Sequence, residues 1–272
     1  MTSHDVINVL RRQLGERRIG HAGTLDPDAT GVLLVGVGYV TRLLTFLSGL
    51  DKTYTGQIVL GTATSTLDSS GTVTATHDMS GVTVDEIKRV VRERFTGKIK
   101  QIPPMVSALK VDGVRLHELA RQGVEVERAA RELTIHSFKV LGMPEPGVVE
   151  VEVHCSSGTY IRSLADDLGR TLGGSAHLRN LRRTAVGTFI QSETSSLDAV
   201  VVHEPITAVR TMSRVVANDE MKAMIKHGRE LEKFASPPPW VLVDASDAVL
   251  AVYEPSDSGR AKPSVVMANA VS

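Results

Sequence analysis

The sequence predicts an α+β fold built around a mixed or antiparallel sheet flanked by helices. Segments with the two-residue alternation of half-buried strands stand beside segments with helical spacing. Val149, Val151, Val153 and Cys155 alternate with Glu150, Glu152 and His154, whereas Ile161, Leu164, Ala165, Leu168 and Leu172 follow a helical face that ends at Gly173-Gly174. The two kinds are interspersed without the regular βαβ period of a parallel sheet. A chain of 272 residues, 42% hydrophobic and 23% charged, has the balance of a globular protein and room for one large domain with a small appendage.

In chain order, Ser3 stands where it can cap a first helix, with Val6, Val9, Leu10 and Leu14 on its apolar face and Gly15 as its stop. Residues 20–31 form a loop by composition. Leu33-Leu34-Val35-Gly36-Val37 reads as a buried strand, residues 40–47 as a short helix and residues 52–60 as a strand rich in Thr, Tyr, Ile and Val. Thr83 and Glu86 have capping-box spacing ahead of Ile87, Val90, Val91 and Phe95. Val111-Asp112-Gly113-Val114 signals a hairpin, because Asp-Gly accommodates the positive φ of a tight turn. Residues 115–121 read as another short helix.

A domain boundary is expected near residue 210, giving a larger domain over 1–210 and a small, mostly β domain over 211–272. In the latter, Asn218 caps a helix carrying Met221, Met224 and Ile225, and residues 240–244 and 249–253 form two strands around an Asp-rich turn. About sixty residues is near the lower limit for independent folding. The tail after Ser256 is polar and is expected to be loose.

Lysines and arginines number 31, as do aspartates and glutamates, so the chain does not coat nucleic acid by bulk charge. The distribution is less even. Arg11, Arg12, Arg17, Arg18 and His21 form one basic group, Lys88, Arg89, Arg92, Arg94, Lys98 and Lys100 a second, and Arg179, Arg182 and Arg183 a third. Each taken singly is an ordinary solvated helix face. The single cysteine, Cys155, excludes an internal disulfide framework and a cysteine-rich zinc site. No apolar stretch is long enough to span a bilayer, and the first residues lack the basic-then-apolar pattern of a secretion signal. A cytoplasmic protein is expected.

Asp26, in Thr24-Leu25-Asp26-Pro27-Asp28, has the residues of an ordinary turn, with Asp bonding its own backbone and Pro fixing φ. On that reading alone it is structural, and His21 is a solvated or backbone-bonded histidine. Against this, a glycine-rich loop between a basic cluster and an apolar strand can bring backbone and carboxylate close to a polyanion. The loop lacks the Gly-Lys-Ser/Thr ending that cradles a triphosphate.

Gly20-His21-Ala22-Gly23-Thr24-Leu25-Asp26-Pro27-Asp28-Ala29-Thr30-Gly31-Val32-Leu33 resembles the active-site signature of the TruB family of pseudouridine synthases. Further pieces follow in the family's order. They are Lys52-Thr53-Tyr54, the stretch 61–68 with Thr64, Ser65, Thr66 and Asp68, then Gln101-Ile102-Pro103-Pro104 with Ser107-Ala108-Leu109-Lys110. Cys155-Ser156-Ser157-Gly158-Thr159-Tyr160-Ile161-Arg162-Ser163-Leu164 and Leu181-Arg182-Arg183-Thr184 complete the set. The resemblance spans residues 2 to about 190, and more weakly the tail is similar to the family's PUA-type RNA-binding domain.

The resemblance implies an enzyme that isomerises uridine 55 in the T arm of tRNA to pseudouridine, breaking the N1–C1′ bond and rejoining the base through C5. That chemistry requires no redox change, metal or cofactor. By resemblance Asp26 is the catalytic carboxylate, Arg162 the arginine that pairs with it, and Tyr54 the ring that stacks on the base and serves the proton abstraction at C5. Tyr160 lines the same pocket, Leu181 touches the base, and Lys52 and Arg182 belong to the RNA-binding set. His21 occupies the space that the extruded nucleotide leaves, because a base read in a pocket must first leave its stack. Residues 77–105 fall where the family carries an inserted segment that clamps the RNA arm. Without the resemblance, Tyr54 is equally well a core strand residue and Arg162 a phosphate contact or surface ion pair.

In the family, a strand ending in Lys-Pro-x-Gly precedes the position of Thr2. Here Met1 stands where that motif ends, and a form about a dozen residues longer is expected to fold better. The partner implied is the T-arm stem-loop of tRNA, with no membrane and no obligatory protein partner; a monomer is expected. Rival readings are a guide-dependent synthase of other RNAs, a tRNA-folding chaperone with reduced or lost catalysis, and a carboxylate hydrolase using Asp26 with Asp28.

Overall fold

The computed structural model describes residues 1–267, apart from 108, 112 and 125. By contact the chain forms two compact units. One comprises Met1–Thr24, Leu33–Ser48 and Thr194–Ser272, and the other Leu25–Val32 and Gly49–Glu193.

The second unit is organised by a sheet that has seven strands among the described residues. Its order is Phe189–Ile190, Ala176–Val186, Lys52–Leu60, Val148–Cys155, Arg131–Glu145 and Gly97–Gln101, all antiparallel, while Thr30–Gly31 joins Ala176–Val186 in parallel. The sheet is therefore mixed and the class α+β, as the interspersed periodicities predict. Val149, Val151, Val153 and Cys155 turn to one face and are buried there against Leu164, Ala165 and Leu168 of helix Ile161–Thr171. Helix Val84–Arg94 packs Ile87, Val90 and Val91 into the same core, and the Thr83 hydroxyl caps it by accepting the Glu86 N–H. Lys110–Val111 and Val114–Arg115 pair antiparallel around the expected Asp-Gly turn. Asp112, the first residue of the expected turn, and Ala108, within the Ser107–Lys110 match, lie outside the described residues.

In the other unit, helix Ser3–Leu14 is capped by Thr2 rather than Ser3. The Thr2 hydroxyl accepts the Asp5 N–H, and the Asp5 carboxylate accepts the Thr2 N–H in return, a reciprocal pair that Ser3 cannot make with His4 to Val6. Strands Ser213–Val216, Trp240–Val243, Val249–Pro255 and Ala261–Val266 form a sheet in that order. The expectation of a loose tail after Ser256 is overturned through Met267. Gly259, at φ +78°, turns the chain back, and Ala261, Val265 and Met267 are buried on the sheet. The buried Trp240 and Tyr253 each keep a polar partner, the carbonyls of Ser236 and Arg229.

At Gly31 the fold of the second unit requires a glycine. Gly31 has φ +103°, and a Cβ there would lie 2.1 Å from the Arg183 carbonyl oxygen. Gly31→Ala is expected to cost about 2–4 kcal/mol, from left-handed backbone strain plus a backbone clash that no rotamer relieves. Urea unfolding checks this. A change below about 0.5 kcal/mol would show that the loop can move aside, since that is the scatter of neutral surface substitutions.

Candidate active site

The Asp26 backbone makes the expected turn, while its side chain is engaged elsewhere. The Ala29 N–H donates to the Asp26 carbonyl at 2.9 Å, closing the turn with Pro27 at its second position. The side chain takes no part in that turn. Its Oδ1 accepts from Arg162 Nη2 at 2.9 Å.

Arg162 sits in the first turn of helix Ile161–Thr171 and is 4% exposed. Nη2 also donates to the Val106 carbonyl at 3.0 Å, Nη1 donates to the Thr66 carbonyl at 2.9 Å, and Asp68 Oδ2 lies 3.4 Å from Nη1. One guanidinium thus ties together the Asp26 loop, the 64–70 loop and the segment before residue 107. Two neighbours hold it in register. The Gln101 side-chain amide donates to the Tyr160 carbonyl and accepts the Tyr160 N–H, at 3.0 and 2.9 Å, fixing the backbone where the helix begins. Asp68 is itself locked, its Oδ1 accepting from the Thr66 hydroxyl, the Ser70 N–H and the Ser70 hydroxyl.

The electrostatics suit a reactive carboxylate. Burial pushes the Asp26 carboxyl above its ordinary value, and Arg162 pulls it part of the way back. The charges of Asp68 and Asp28 push it up again. The result is a carboxylate more basic than one in water, yet still charge-paired when ionised.

Tyr54 lies on strand Lys52–Leu60, in register with Arg183 on one side and Val153 on the other. Burial raises its phenol, a rise opposed by the charge and hydrogen bond of Arg183 and reinforced by the Cys155 and Asp26 charges. Arg183 is 1% exposed and donates from Nε to the Val32 carbonyl at 2.8 Å, while its own carbonyl accepts the Val32 N–H at 2.8 Å. The loop that carries Asp26 is therefore stitched at its far end to the residue that supports Tyr54.

The open cleft beside this cluster is lined by Asp26, Asp68, Arg162, Leu178, Arg179 and Leu181 among others. Leu181 gives it an apolar wall. Tyr160 stands at the helix start, held by Gln101. Arg182 donates to Gln191 Oε1 and Thr30 Oγ1, at the edge of the sheet. Lys52 has an internal position at 6% exposure, donating to the Leu50 carbonyl and the Ser157 hydroxyl. Burial and the Arg183 charge bring its ammonium down to about 8, against the pull of Cys155 and Asp51. His21 lies in the other compact unit, on strand Ile19–His21 opposite Val35. The Cys155 thiol, pushed up to about 11 by burial, is no nucleophile at neutral pH.

Residue-type reasoning gave no role to Gln101, Asp68 or Arg183. Gln101 and Asp68 stand in matched segments, which was the one available signal. In sequence Arg183 belongs to a basic run with Arg179 and Arg182, and only the strand pairing separates the buried member from the others.

The family model described as TruB family pseudouridylate synthase, N-terminal domain, matches residues 11–161, and that of the tRNA pseudouridylate synthase B C-terminal domain matches residues 162–225. The chain belongs to the TruB family. A protein of Symbiobacterium thermophilum named tRNA pseudouridine synthase B is 45% identical over 84% of this chain and 78% of its own length. A protein of the same name from Rhodococcus jostii is 44% identical over 98% of this chain and 90% of its own. Among solved structures, a chain in the crystal structure of a Cbf5-Nop10-Gar1 complex superposes with a TM-score of 0.73 at 25% identity, over 97% of this chain and 80% of that one.

Proposed function

We propose that this enzyme converts uridine 55 in the T arm of tRNA to pseudouridine, with Asp26 as the catalytic carboxylate. The observation that carries the reading is the Asp26–Arg162 pair at 2.9 Å beside an apolar-walled cleft, in a chain whose relatives are named for tRNA pseudouridylation. Isomerisation breaks the N1–C1′ bond, turns the base, forms C5–C1′ and moves the C5 proton to solvent while N1 gains one, so atoms and charge balance without a co-reactant. A carboxylate can begin this by attacking C1′ or by removing the C2′ proton. Both routes start from ionised Asp26, which Arg162 favours.

Tyr54 stacks on the displaced base and accepts the C5 proton as the phenolate, having first released its own proton to solvent, a release that burial opposes and the charge and hydrogen bond of Arg183 favour. Leu181 contacts the base, Tyr160 lines the pocket and Arg182 meets the RNA backbone. His21 fills the space that the base leaves. Residues 77–105 clamp the RNA arm through phosphate contacts, and residues 211–272 act as a PUA-like RNA-binding domain. The enzyme acts as a monomer.

The test is tritium release from C5-labelled uridine in a T-arm stem-loop, with a second loop carrying cytidine at position 55. Release is expected from the first and not from the second; equal release from both would move the target elsewhere. Tyr54→Phe is expected to slow single-turnover release by at least about 100-fold, the low end for a lost acid–base group, with RNA affinity changed by less than about threefold. A loss confined to affinity would refute a role in base chemistry.

A further inference from the structure

A cluster that the proposed reaction does not use lies at one end of the central sheet. Asp51, His136 and His154 bring one ligand atom each to within 4.8 Å of one another, and His136 Nε2 stands 3.1 Å from Asp51 Oδ2. The two imidazoles lie 4.7 Å apart between ring centres. We infer that these three side chains form a binding site for a first-row divalent metal ion of the zinc class.

The backbone builds this cluster in three steps. His154 precedes Cys155 on strand Val148–Cys155, and alternation turns it away from the buried face that Cys155 and Val153 occupy. In strand Arg131–Glu145 the register jumps, so that Ile135 faces Cys155 and Ser137 faces His154. His136 is the extra residue of that bulge, and bulges re-aim side chains. Asp51, one residue before strand Lys52–Leu60, is fixed from behind by the Gly187 N–H on its carbonyl at 2.8 Å. Two strands and the residue leading into a third thus contribute one ligand each.

The chemistry fits the ion class. Two imidazoles and a carboxylate suit zinc and its neighbours better than magnesium or calcium, which prefer all-oxygen sites. Ligand atoms about 2.0–2.1 Å from a tetrahedral ion lie about 3.3 Å apart, so the His136–Asp51 spacing already matches. His154 closes the rest by rotating a half-exposed ring. The fourth position remains open to water. The next rung of the same face, Lys139 with Glu152 at 2.7 Å, is neutralised as an ion pair and offers no competing carboxylate.

The experiment is a titration of the untagged, chelator-stripped protein with zinc chloride by calorimetry, paralleled by melting curves. One equivalent is expected to bind with a micromolar dissociation constant and to raise Tm, because an ion held only by the native state stabilises it. His136→Ala and His154→Ala should each weaken binding by at least about tenfold, the lower bound for disturbing a ligand's surroundings. His203→Ala, at an exposed position outside the cluster, should leave binding unchanged. Circular dichroism and tritium release in chelator, unchanged in His136→Ala, exclude misfolding as the cause. His136→Cys should retain binding and give cobalt a thiolate charge-transfer band. Absence of saturable binding, or binding that the two histidine variants leave intact, would overturn the site.

Discussion

Asp26→Asn is expected to lower tritium release by at least about four orders of magnitude, the scale seen when a group at the reacting centre is removed. The substitution keeps the shape of the side chain and one acceptor for Arg162, but removes the charge that attack at C1′ or proton removal at C2′ requires. RNA affinity should change by less than about threefold. Stability supplies an independent check. Because burial raises the Asp26 carboxyl in the folded protein, this group's contribution to stability is fully present below the unfolded carboxylate pKa and is lost as pH rises through the folded value. At pH 7 the ionised side chain therefore weighs against the fold, and Asp26→Asn should melt no lower than the wild type. Any gain should shrink as the pH falls and the wild-type carboxyl protonates. Release that survives in Asp26→Asn would end the catalytic assignment. A variant that melts well below wild type at pH 7 would show that the electrostatic account of the loop is wrong.

The fold was legible where one periodicity governs a whole element. Strand Val148–Cys155 and helix Ile161–Thr171 bury the residues that their spacing predicts. Strand Arg131–Glu145 is not legible in the sequence, because its register shifts at Ile135/Ser137, Val140/Gly142 and Gly142/Glu145 break the alternation that a strand would otherwise show. Strand Ala176–Val186 was hidden for another reason. It carries Arg179, Arg182 and Arg183, and a local reading cannot know that Arg183 will be buried with a carbonyl of the Asp26 loop as its acceptor. The tail failed in the same way, since Ala261, Val265 and Met267 become a buried face only when Val249–Pro255 lies beside them. The site shows the same division. Turn chemistry described the backbone at Asp26 correctly and said nothing about its side chain, whose partner is 136 residues away in sequence. Nothing local to Arg162 marks it as the hub of three loops. The matched segments named both residues, and the distances now connect them.

Removing the Arg162 guanidinium should disturb both stability and pH dependence, in different proportions for different replacements. Arg162→Met leaves Asp26 and Asp68 without their shared cation and the Thr66 and Val106 carbonyls without donors. Because both carboxylates keep some contact with solvent, this loss is expected to cost about 2–4 kcal/mol, less than for a fully buried pair. At about 2–4 °C per kcal/mol for a chain of this size, Tm should fall by about 10 °C. The charge and the hydrogen bond of Arg162 are also the two influences that hold the Asp26 carboxyl down. Without them it rises further, and the ionised form that begins the reaction is reached only at higher pH. The acidic limb of the single-turnover rate should therefore shift to the alkaline side. Arg162→Lys restores a charge but not a planar fork that can serve four acceptors at once. It should bring the acidic limb back toward wild type while recovering little of the rate. Adding Asp68→Asn to Arg162→Met removes the like charge that pushes Asp26 up, so part of both the Tm and the limb position should return. Melting curves and single-turnover release across pH for these four proteins decide the matter. An Arg162→Met variant with unchanged Tm and an unmoved acidic limb would mean that the guanidinium neither supports the loops nor sets the ionisation of Asp26.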